Sequence, residues 1–203
     1  MRAGTKRHEQ KERTRARILD EAIGLFARKG YGSTSIHELV STAGVTTGCL
    51  YCHFDSKEDV LIAVLAELKD RLFRDLLGAM PLLGGEKPKV TVAALIERVA
   101  RIVEQHAELF HVVGVVGVEA AHSNPRIEAA LRASYSGIAP LLRALLESAG
   151  AEHASDDFEC AAQMFLGLYM GGILHQRLFR KEFPLSRALP VLTKMLASAA
   201  LPR

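Results

Sequence analysis

The residues best suited to chemistry lie close together near position 50. Thr46 and Thr47 precede Gly48, and Tyr51 and His53 follow within two helical turns. Small residues at the front of a helix can approach the floor of a DNA major groove, where amides and hydroxyls donate to phosphates and base edges. Tyr51 and His53 are spaced to reach backbone phosphates, which position a protein on DNA without reading its sequence. The pattern indicates a nucleic-acid-binding helix.

The same short segment holds a C-x-x-C pair, Cys49 and Cys52. The two side chains lie on neighbouring faces of a helix, and closing a disulfide there would strain the backbone. We therefore favour two small side chains that line a DNA face over a thiol switch, which stays the alternative. With Cys160, the chain has three cysteines, and we expect them to be free thiols in a reducing cytoplasm.

A second group of candidate ligands consists of histidines and carboxylates. Glu119 and His122 share a helical face, and His106, His111 and Glu108 are close in sequence. This spacing is compatible with a metal site, but no HExxH motif or second Cys/His pair supports one, so we expect ordinary buried or exposed histidines. No nucleophile elbow, P-loop or paired-glycine fingerprint is present. We expect no enzyme activity, no catalytic residue, no metal and no cofactor.

Charge is concentrated at the N-terminus. Residues 1–17 hold seven cationic side chains and two carboxylates, a net charge of +5 in a chain whose total is +3. A basic segment on a near-neutral body is typical of a polyanion-binding surface, although a solubilising tail is equally compatible with it. An anionic membrane would require a bulky apolar face that this segment lacks. The sequence predicts a basic flexible arm over residues 1–13 and no membrane partner.

The elements that must position these residues are all helical in period. The first helix runs from Ile18 to a stop at Gly30. A capping box at Ser35 and Glu38 opens the second helix, which ends at Gly44. Capping residues further along predict a third helix after Thr46 and a fourth after a capping box at Asp55 and Glu58, the fourth covering residues 56–78.

Beyond the glycine- and proline-rich stretch Met80–Lys89, the chain is more apolar. The valine-rich segment Ala107–His122 fits a helix or a buried strand, and we favour the helix because no other segment offers it a strand partner. Asn124 before Pro125 predicts another helix start. The prediction is an all-α fold of about nine helices. It comprises a DNA-binding domain over residues 14–60 and a second helical domain over residues 61–203, connected by the fourth helix.

Residues Thr34–Leu61 contain AGVTTGCLYCHFDSKEDVL in register with the first helix, and this segment resembles the N-terminal domain of the tetracycline-repressor (TetR) family of bacterial transcriptional regulators. The resemblance covers about the first third of the chain. It implies base and phosphate contacts from the recognition helix, from the head of the preceding helix and from the start of the fourth helix. The residues concerned are Thr34, Ser35, His37, Thr46, Thr47, Gly48, Cys49, Tyr51, Cys52, His53 and Lys57.

The resemblance also implies a C-terminal helical bundle for ligand binding and dimerisation. Apolar and aromatic residues at helical spacing suit either an ordinary core or a pocket for a mostly apolar ligand. The expected pocket residues are His106, Phe110, Val113, Tyr135, Met164, Phe165 and Tyr169. Small residues on one face allow close helix packing, either in a dimer interface or inside one monomer. The expected interface residues are Gly167, Gly171, Gly172 and His175.

Together these features predict a homodimeric helix-turn-helix regulator of the bacterial cytoplasm, associated with the nucleoid. We expect a repressor that a small, mostly apolar ligand releases from a palindromic operator. Alternatives are a DNA-binding regulator without a small-molecule effector and a thiol- or metal-responsive regulator. The expected partners are double-stranded DNA, a second copy of the chain and an unknown small-molecule effector.

Overall fold

The computed structural model describes residues 2–77, 98, 101–102, 104–137 and 140, and the positions 143, 160, 163–164, 167–168, 170–172, 175, 179 and 191. Within these residues every regular element is helical, which confirms the all-α prediction. The elements are α1 (Arg2–Lys29), α2 (Ile36–Ala43), α3 (Thr47–Tyr51), α4 (Lys57–Leu77), α5 (Ala107–His111), a π-helical turn (Val112–Val116), α6 (Gly117–Ala121) and α7 (Pro125–Ser136).

The chain forms two compact units, residues 1–67 with 112–131 and residues 68–111 with 132–203. The first division falls inside α4, the helix that the sequence assigns as the connector. The valine-rich segment 112–121 belongs to the first unit and is helical, as predicted. The functional domains predicted to meet at residue 60 stay a prediction.

The core of the first unit is built from short helices packed against α1. On α1, Ile18, Ala22 and Phe26 follow one another at helical spacing and have no exposed surface. The Phe26 and Tyr31 rings pack in a T-shaped arrangement, with the ring centroids 5.7 Å apart. Helix α1 contacts both α2 and the π-helical turn. Burial of this apolar stripe stabilises α2 and α3, because helices of eight and five residues are too short to be stable alone.

Close approach explains one glycine in this unit. A Cβ placed on Gly117 would lie 3.0 Å from a Leu65 methyl and 3.1 Å from a Leu131 methyl. These distances are shorter than ordinary side-chain contacts. Residue 117 must therefore lack a side chain for α6 to approach Leu65 and Leu131 this closely.

The N-terminal arm differs from its prediction. Residues 2–13 are the first turns of α1 rather than a flexible arm. The segment contains no proline and is rich in lysine, arginine, glutamate and glutamine, which favour helices. Glu9 and Arg13 are also four residues apart, a spacing at which opposite charges support a helix. The basic residues therefore lie on a helical surface with defined faces.

The start of α4 also differs from its prediction. The capping residue is Ser56 and not Asp55, since the Ser56 hydroxyl accepts a hydrogen bond from the Asp59 amide at 3.1 Å and donates to the Asp59 carboxylate at 2.7 Å. Glu58, which the sequence assigned to the capping box, instead accepts hydrogen bonds from Asn124 and Arg126. A partner 66 residues away is invisible to a local sequence pattern.

The start of α7 agrees with its prediction. The Asn124 side-chain oxygen accepts from the amides of Arg126 and Ile127 at 3.0 and 3.3 Å, immediately before the helix begins at Pro125. Arg126 also donates to Asp59 at 2.7 Å. Hydrogen bonds from Ser56 and then Arg126 lower the pKa of the Asp59 carboxyl. These contacts fix the first turn of α4 to α7 within the first unit.

In the second unit the described contacts are fewer. Leu68, Leu72, Ile102, Leu109 and Phe110 are buried. The His106 ring nitrogen Nε2 lies 2.6 Å from the Asp75 carboxylate. Helical periodicity also predicts helices over residues 155–179 and 184–200, and these two ranges fall mostly outside the described residues.

Candidate nucleic-acid interface

Helix α2 and the turn after it have the geometry that the sequence predicted. The Ser35 hydroxyl accepts from the Glu38 amide, and the Glu38 carboxylate accepts from the Ser35 amide, which completes the capping box. At the other end Gly44 has φ 61° and ψ 40°, a left-handed conformation that glycine adopts without steric cost. The Val45 amide then donates to the Val40 carbonyl at 3.0 Å, which closes the turn.

Helix α3 presents one face to the core and another to solvent. Thr46 is its N-cap, and the Thr46 hydroxyl accepts from the Cys49 amide at 3.1 Å. Leu50 has no exposed surface, whereas Tyr51 is 48 % exposed. Apart from the backbone of α3 and the chain neighbours, no described atom lies within 4 Å of a Cβ placed on Gly48, so the front of the helix is open. A short helix that is held to the core by Leu50 and is open at Gly48 can enter a groove of DNA.

The DNA-contacting residues predicted on α3 form a continuous surface. Thr46, Thr47, Gly48, Tyr51 and Cys52 are exposed, and Cys49 and His53 are half-buried. On α2, His37 is exposed as well. Helical periodicity also predicts which apolar residues of this motif face inward. Of these, Leu39, Val40, Ala43, Leu50 and Phe54 are buried, whereas Ile36 and Val45 are half-buried. The structure thus brings the predicted recognition residues together, while their contacts with DNA stay a prediction.

Thr34 departs from the expectation of a phosphate contact. Its side chain is 1 % exposed, and its hydroxyl donates to the Gly30 carbonyl at 2.8 Å. Its amide donates to the Tyr31 carbonyl at 3.3 Å. Because both donors of Thr34 are used inside the protein, this residue fixes the loop between α1 and α2 and is not placed to meet phosphate.

Lys57 is also engaged inside the protein. Its ammonium donates to the carbonyls of Tyr31 and Thr34 at 2.9 and 2.8 Å and lies 4.4 Å from the centre of the Tyr31 ring. Burial lowers the pKa of Lys57. Two of its three donors are therefore committed to the loop between α1 and α2, and a phosphate contact would have to use the third. No local sequence pattern predicts this contact, since its partners lie 23 and 26 residues away.

Ser35, expected to meet phosphate, is exposed, but its amide and hydroxyl are bound to Glu38. Glu38 also pairs with Lys29 at the end of α1. Hydrogen bonds from Lys29 and then Ser35 lower the pKa of Glu38 to about 2. The start of α2 is thus tied to α1 by an ion pair that the sequence analysis missed.

Helix α1 passes beside the end of α3. The Arg15 guanidinium lies 5.5 Å from the centre of the Phe54 ring, and the rings of His53 and Phe54 are 6.3 Å apart. Burial is the main cause that lowers the pKa of His53, followed by the nearby charges of Lys11 and Arg15. The cationic surface of α1 therefore reaches the recognition helix.

The predicted ligand-pocket residues are dispersed among different environments. Phe110 and Val113 are fully buried, His106 is half-buried against Asp75, and Tyr135 is half-buried with its pKa raised by burial. Met164 is 63 % exposed. Phe165 and Tyr169 lie outside the described residues. A ligand cavity at these seven positions stays a prediction.

The predicted interface glycines are open to their surroundings. Among the residues that the structure describes, no atom lies within 4 Å of a Cβ placed on Gly167 or Gly171, apart from the helix backbone and chain neighbours. Gly172 is half-buried, and His175 is exposed and stacked on the Phe179 ring, with centroids 4.2 Å apart. Large apolar side chains at the same helical spacing are exposed as well, namely Met164, Leu168 and Phe179.

All three cysteines are free thiols, with Cys52 and Cys160 exposed. Across the residues that the structure describes, no three His, Cys, Asp or Glu side chains form a group able to hold a metal ion. Nor does any helix in those residues combine the length and apolar character that crossing a membrane requires.

A capped two-helix motif with an open recognition helix, set in an all-helical chain, defines a helix-turn-helix protein. Residues 18–64, which include the helix-turn-helix, match the family described as "Bacterial regulatory proteins, tetR family". Similar curated proteins include the HTH-type transcriptional regulator AcrR of Shigella flexneri, 44 % identical over 55 residues, and the HTH-type transcriptional repressor KstR2 of Rhodococcus jostii (strain RHA1), 41 % identical over 59 residues.

The sequence matches are confined to one part of each protein. They cover 27 % of this chain and 26 % of AcrR, and 29 % of this chain and 29 % of KstR2. Similarity of fold extends much further. A putative TetR-family regulator from Syntrophomonas wolfei superposes with a TM-score of 0.71 at 18 % identity, over 93 % of this chain and 95 % of that one. FadR from Bacillus subtilis in complex with stearoyl-CoA gives a TM-score of 0.64 at 20 % identity, over 91 % and 98 %.

Proposed function

We propose that this chain is a sequence-specific DNA-binding transcriptional regulator, a repressor without enzyme activity that acts in the bacterial cytoplasm at the nucleoid. The observation that carries the proposal is the orientation of α3. This helix buries Leu50 and exposes the small residues Thr46, Thr47 and Gly48, which can reach base edges. The transcriptional regulators that match over the same segment support this function.

Within this surface we assign different roles to different residues. Thr47 and its neighbours at the front of α3 read base edges, and His37 on α2 reaches a base edge beside them. Tyr51 and the His53 ring contact phosphates, which position the protein without reading sequence. Thr34 has no role in this assignment because it is buried, and Lys57 keeps at most one donor for phosphate.

The regulator acts as a homodimer on a palindromic operator. Gly167, Gly171 and His175 follow one another at intervals of four residues, and Met164 and Leu168 share their face. Exposed apolar side chains beside small residues favour close packing of a second helix, so this face supports a dimer interface. A two-fold dimer places its recognition helices about 34–36 Å apart, one turn of DNA.

The effector is a small, mostly apolar molecule that binds the second unit. FadR of Bacillus subtilis, similar in fold, was crystallised with stearoyl-CoA, a long acyl chain on a charged carrier. An effector releases the repressor by as much as its affinity differs between the DNA-bound and free conformations. A thermal-shift comparison with stearoyl-CoA and divalent metal ions separates this mechanism from a metal response and from a regulator that has no effector.

The DNA-binding proposal is tested by selecting binding sites from a randomised duplex library with the full-length protein. We expect an enriched inverted repeat. The Thr47→Ala variant should enrich a different sequence, because this residue faces the bases, whereas Tyr51→Ala should weaken binding to all sequences alike. Enrichment of no sequence by the wild-type protein would refute the proposed function, and an unchanged consensus with Thr47→Ala would refute the role of that residue.

A further inference from the structure

A groove of about 510 Å³ lies between the N-terminal half of α1 and the end of α3. Its wall on α1 consists of Arg7, Gln10, Lys11 and Thr14, and its wall at the end of α3 consists of Cys52 and His53. The four α1 residues recur at the spacing of one helical face. Because residues 2–13 are helical, Arg7 and Lys11 are held one turn apart and face the same groove.

We propose that this groove binds the phosphate backbone of duplex DNA beside the segment that α3 reads. The inference rests on the proposed function and adds a second contact surface to it. Arg7 and Lys11 supply two cations, and Gln10 supplies a neutral donor. The Thr14 hydroxyl is already bound to the Gln10 carbonyl at 3.0 Å and shapes the wall. The groove continues directly into the exposed recognition residue Cys52.

His53 gives this groove its second wall. Its Nδ1 atom is buried and has no hydrogen-bond partner among the described residues. The charges that act on the ring come from Lys11, Arg15 and Glu12, all on α1, and the two cations outnumber the single carboxylate. A phosphate entering the groove would meet this positive field, and its own charge would favour protonation of His53.

Two observations favour duplex DNA over an anionic membrane as the occupant. None of the six lining residues is a large apolar side chain of the kind that membrane-surface helices insert. The helical N-terminal segment 2–13 is also about 18 Å long at 1.5 Å per residue, enough to follow several phosphates of one strand.

The test is the salt dependence of binding to a mixed-sequence 40-base-pair duplex, measured by fluorescence anisotropy with the full-length protein. The test variant is Arg7→Gln with Lys11→Gln. The matched control is Lys6→Gln with Arg13→Gln, which removes the same two residue types from the same turns of α1 but from outside the groove. Glutamine favours helices, so α1 should persist in both variants, and circular dichroism verifies this.

Each lost phosphate contact reduces the slope of log affinity against log salt by about 0.9. We expect the groove variant to lose between about one and two such contacts and the control to lose markedly less. Equal slopes for the two variants would overturn the groove while leaving the proposed function intact. Failure of the wild-type protein to bind any duplex would overturn both. Binding to phosphatidylglycerol vesicles that requires Arg7 and Lys11, with an unchanged DNA slope, would assign the groove to membranes instead.

Discussion

The two compact units differ in the kind of interaction that their described residues make. The first is rich in internal caps and ion pairs, and the second exposes large apolar side chains. In the first unit, α2, α3 and α4 are each capped by a side chain, and ion pairs tie α2 to α1 and α4 to α7. In the second unit, Met164, Leu168 and Phe179 expose apolar surface at helical spacing. The first unit therefore stabilises its helix-turn-helix with contacts of its own, whereas the second exposes an apolar surface suited to binding a partner.

This difference between the units agrees with the length of chain over which sequence similarity to other proteins extends. The family match ends at residue 64, inside the first unit, whereas the fold similarity covers 93 % of the chain. Caps, turns and a recognition helix demand particular residue types at particular positions. An apolar interface demands only suitable volume and helical spacing, which many sequences supply.

The largest effect is expected for Leu50, the residue that joins α3 to the core. Leu50→Ala removes a fully buried side chain, so the free energy of unfolding should fall by about 2–5 kcal/mol, and DNA binding should be lost with it. Urea denaturation followed by circular dichroism measures the change. The control Tyr51→Ala, on the exposed face, should weaken DNA binding and leave stability nearly unchanged. Equal destabilisation by both variants would contradict the two-faced α3.

Leu168 tests the exposed face of the second unit. Leu168→Glu places a charge among apolar side chains, so dimer dissociation should become at least about tenfold easier, which corresponds to about 1.4 kcal/mol. Analytical ultracentrifugation of the full-length protein measures the dissociation constant. The control is Gln163→Glu, which adds the same charge at a nearby exposed position outside the row of apolar side chains that contains Leu168. This variant should leave the dissociation constant nearly unchanged. A wild-type protein that is monomeric at all concentrations would exclude the interface.

Lys57 tests whether the first unit depends on its internal contacts. Lys57→Met leaves the carbonyls of Tyr31 and Thr34 without their donor, so stability should fall by about 1–3 kcal/mol. If Lys57 only holds the loop, the salt slope of DNA binding stays constant. If its third donor also meets a phosphate, the slope falls by about 0.9. Unchanged stability would show that the two hydrogen bonds contribute nothing.

The smallest expected effect is the pH dependence due to His53. Its pKa in the folded protein is lowered by burial and by Lys11 and Arg15, so the unfolded chain binds more protons between the lowered pKa and about 6.5. Stability should therefore rise with pH through this window and decrease as the pH falls. His53→Gln should remove this part of the dependence in urea titrations at pH 5, 6 and 7. If His53→Gln leaves the dependence of stability on pH unchanged, groups other than His53 cause that dependence.

Local rules predicted much of the helix-turn-helix. Residue spacing predicts the capping box at Ser35 and Glu38, the left-handed Gly44 and the cap at Thr46, and the structure confirms each. These features depend on interactions within four or five residues, so neighbouring sequence contains the necessary information. The inward set of apolar residues followed from helical periodicity for the same reason.

The errors have a different origin. Asp55 and Glu58 have the spacing of a capping box, but Ser56 caps the helix and Glu58 instead accepts a hydrogen bond from Arg126 of α7. Thr34 and Lys57 were assigned to phosphate, but the folded chain brings internal acceptors to them. The charge of residues 1–13 predicts a flexible arm, but their helix-favouring side chains continue α1 through this segment.

The sequence by itself determined that the chain is helical, where α2 and α3 begin, and which family its N-terminal segment resembles. These properties follow from hydrogen bonds and periodicities that neighbouring residues complete among themselves. Only the tertiary structure decided that Lys57 holds the loop at Tyr31, that Arg126 binds the start of α4, and that α1 forms a cationic groove with His53. Each of these requires groups distant in the chain to meet, and packing of the buried core determines which of them do.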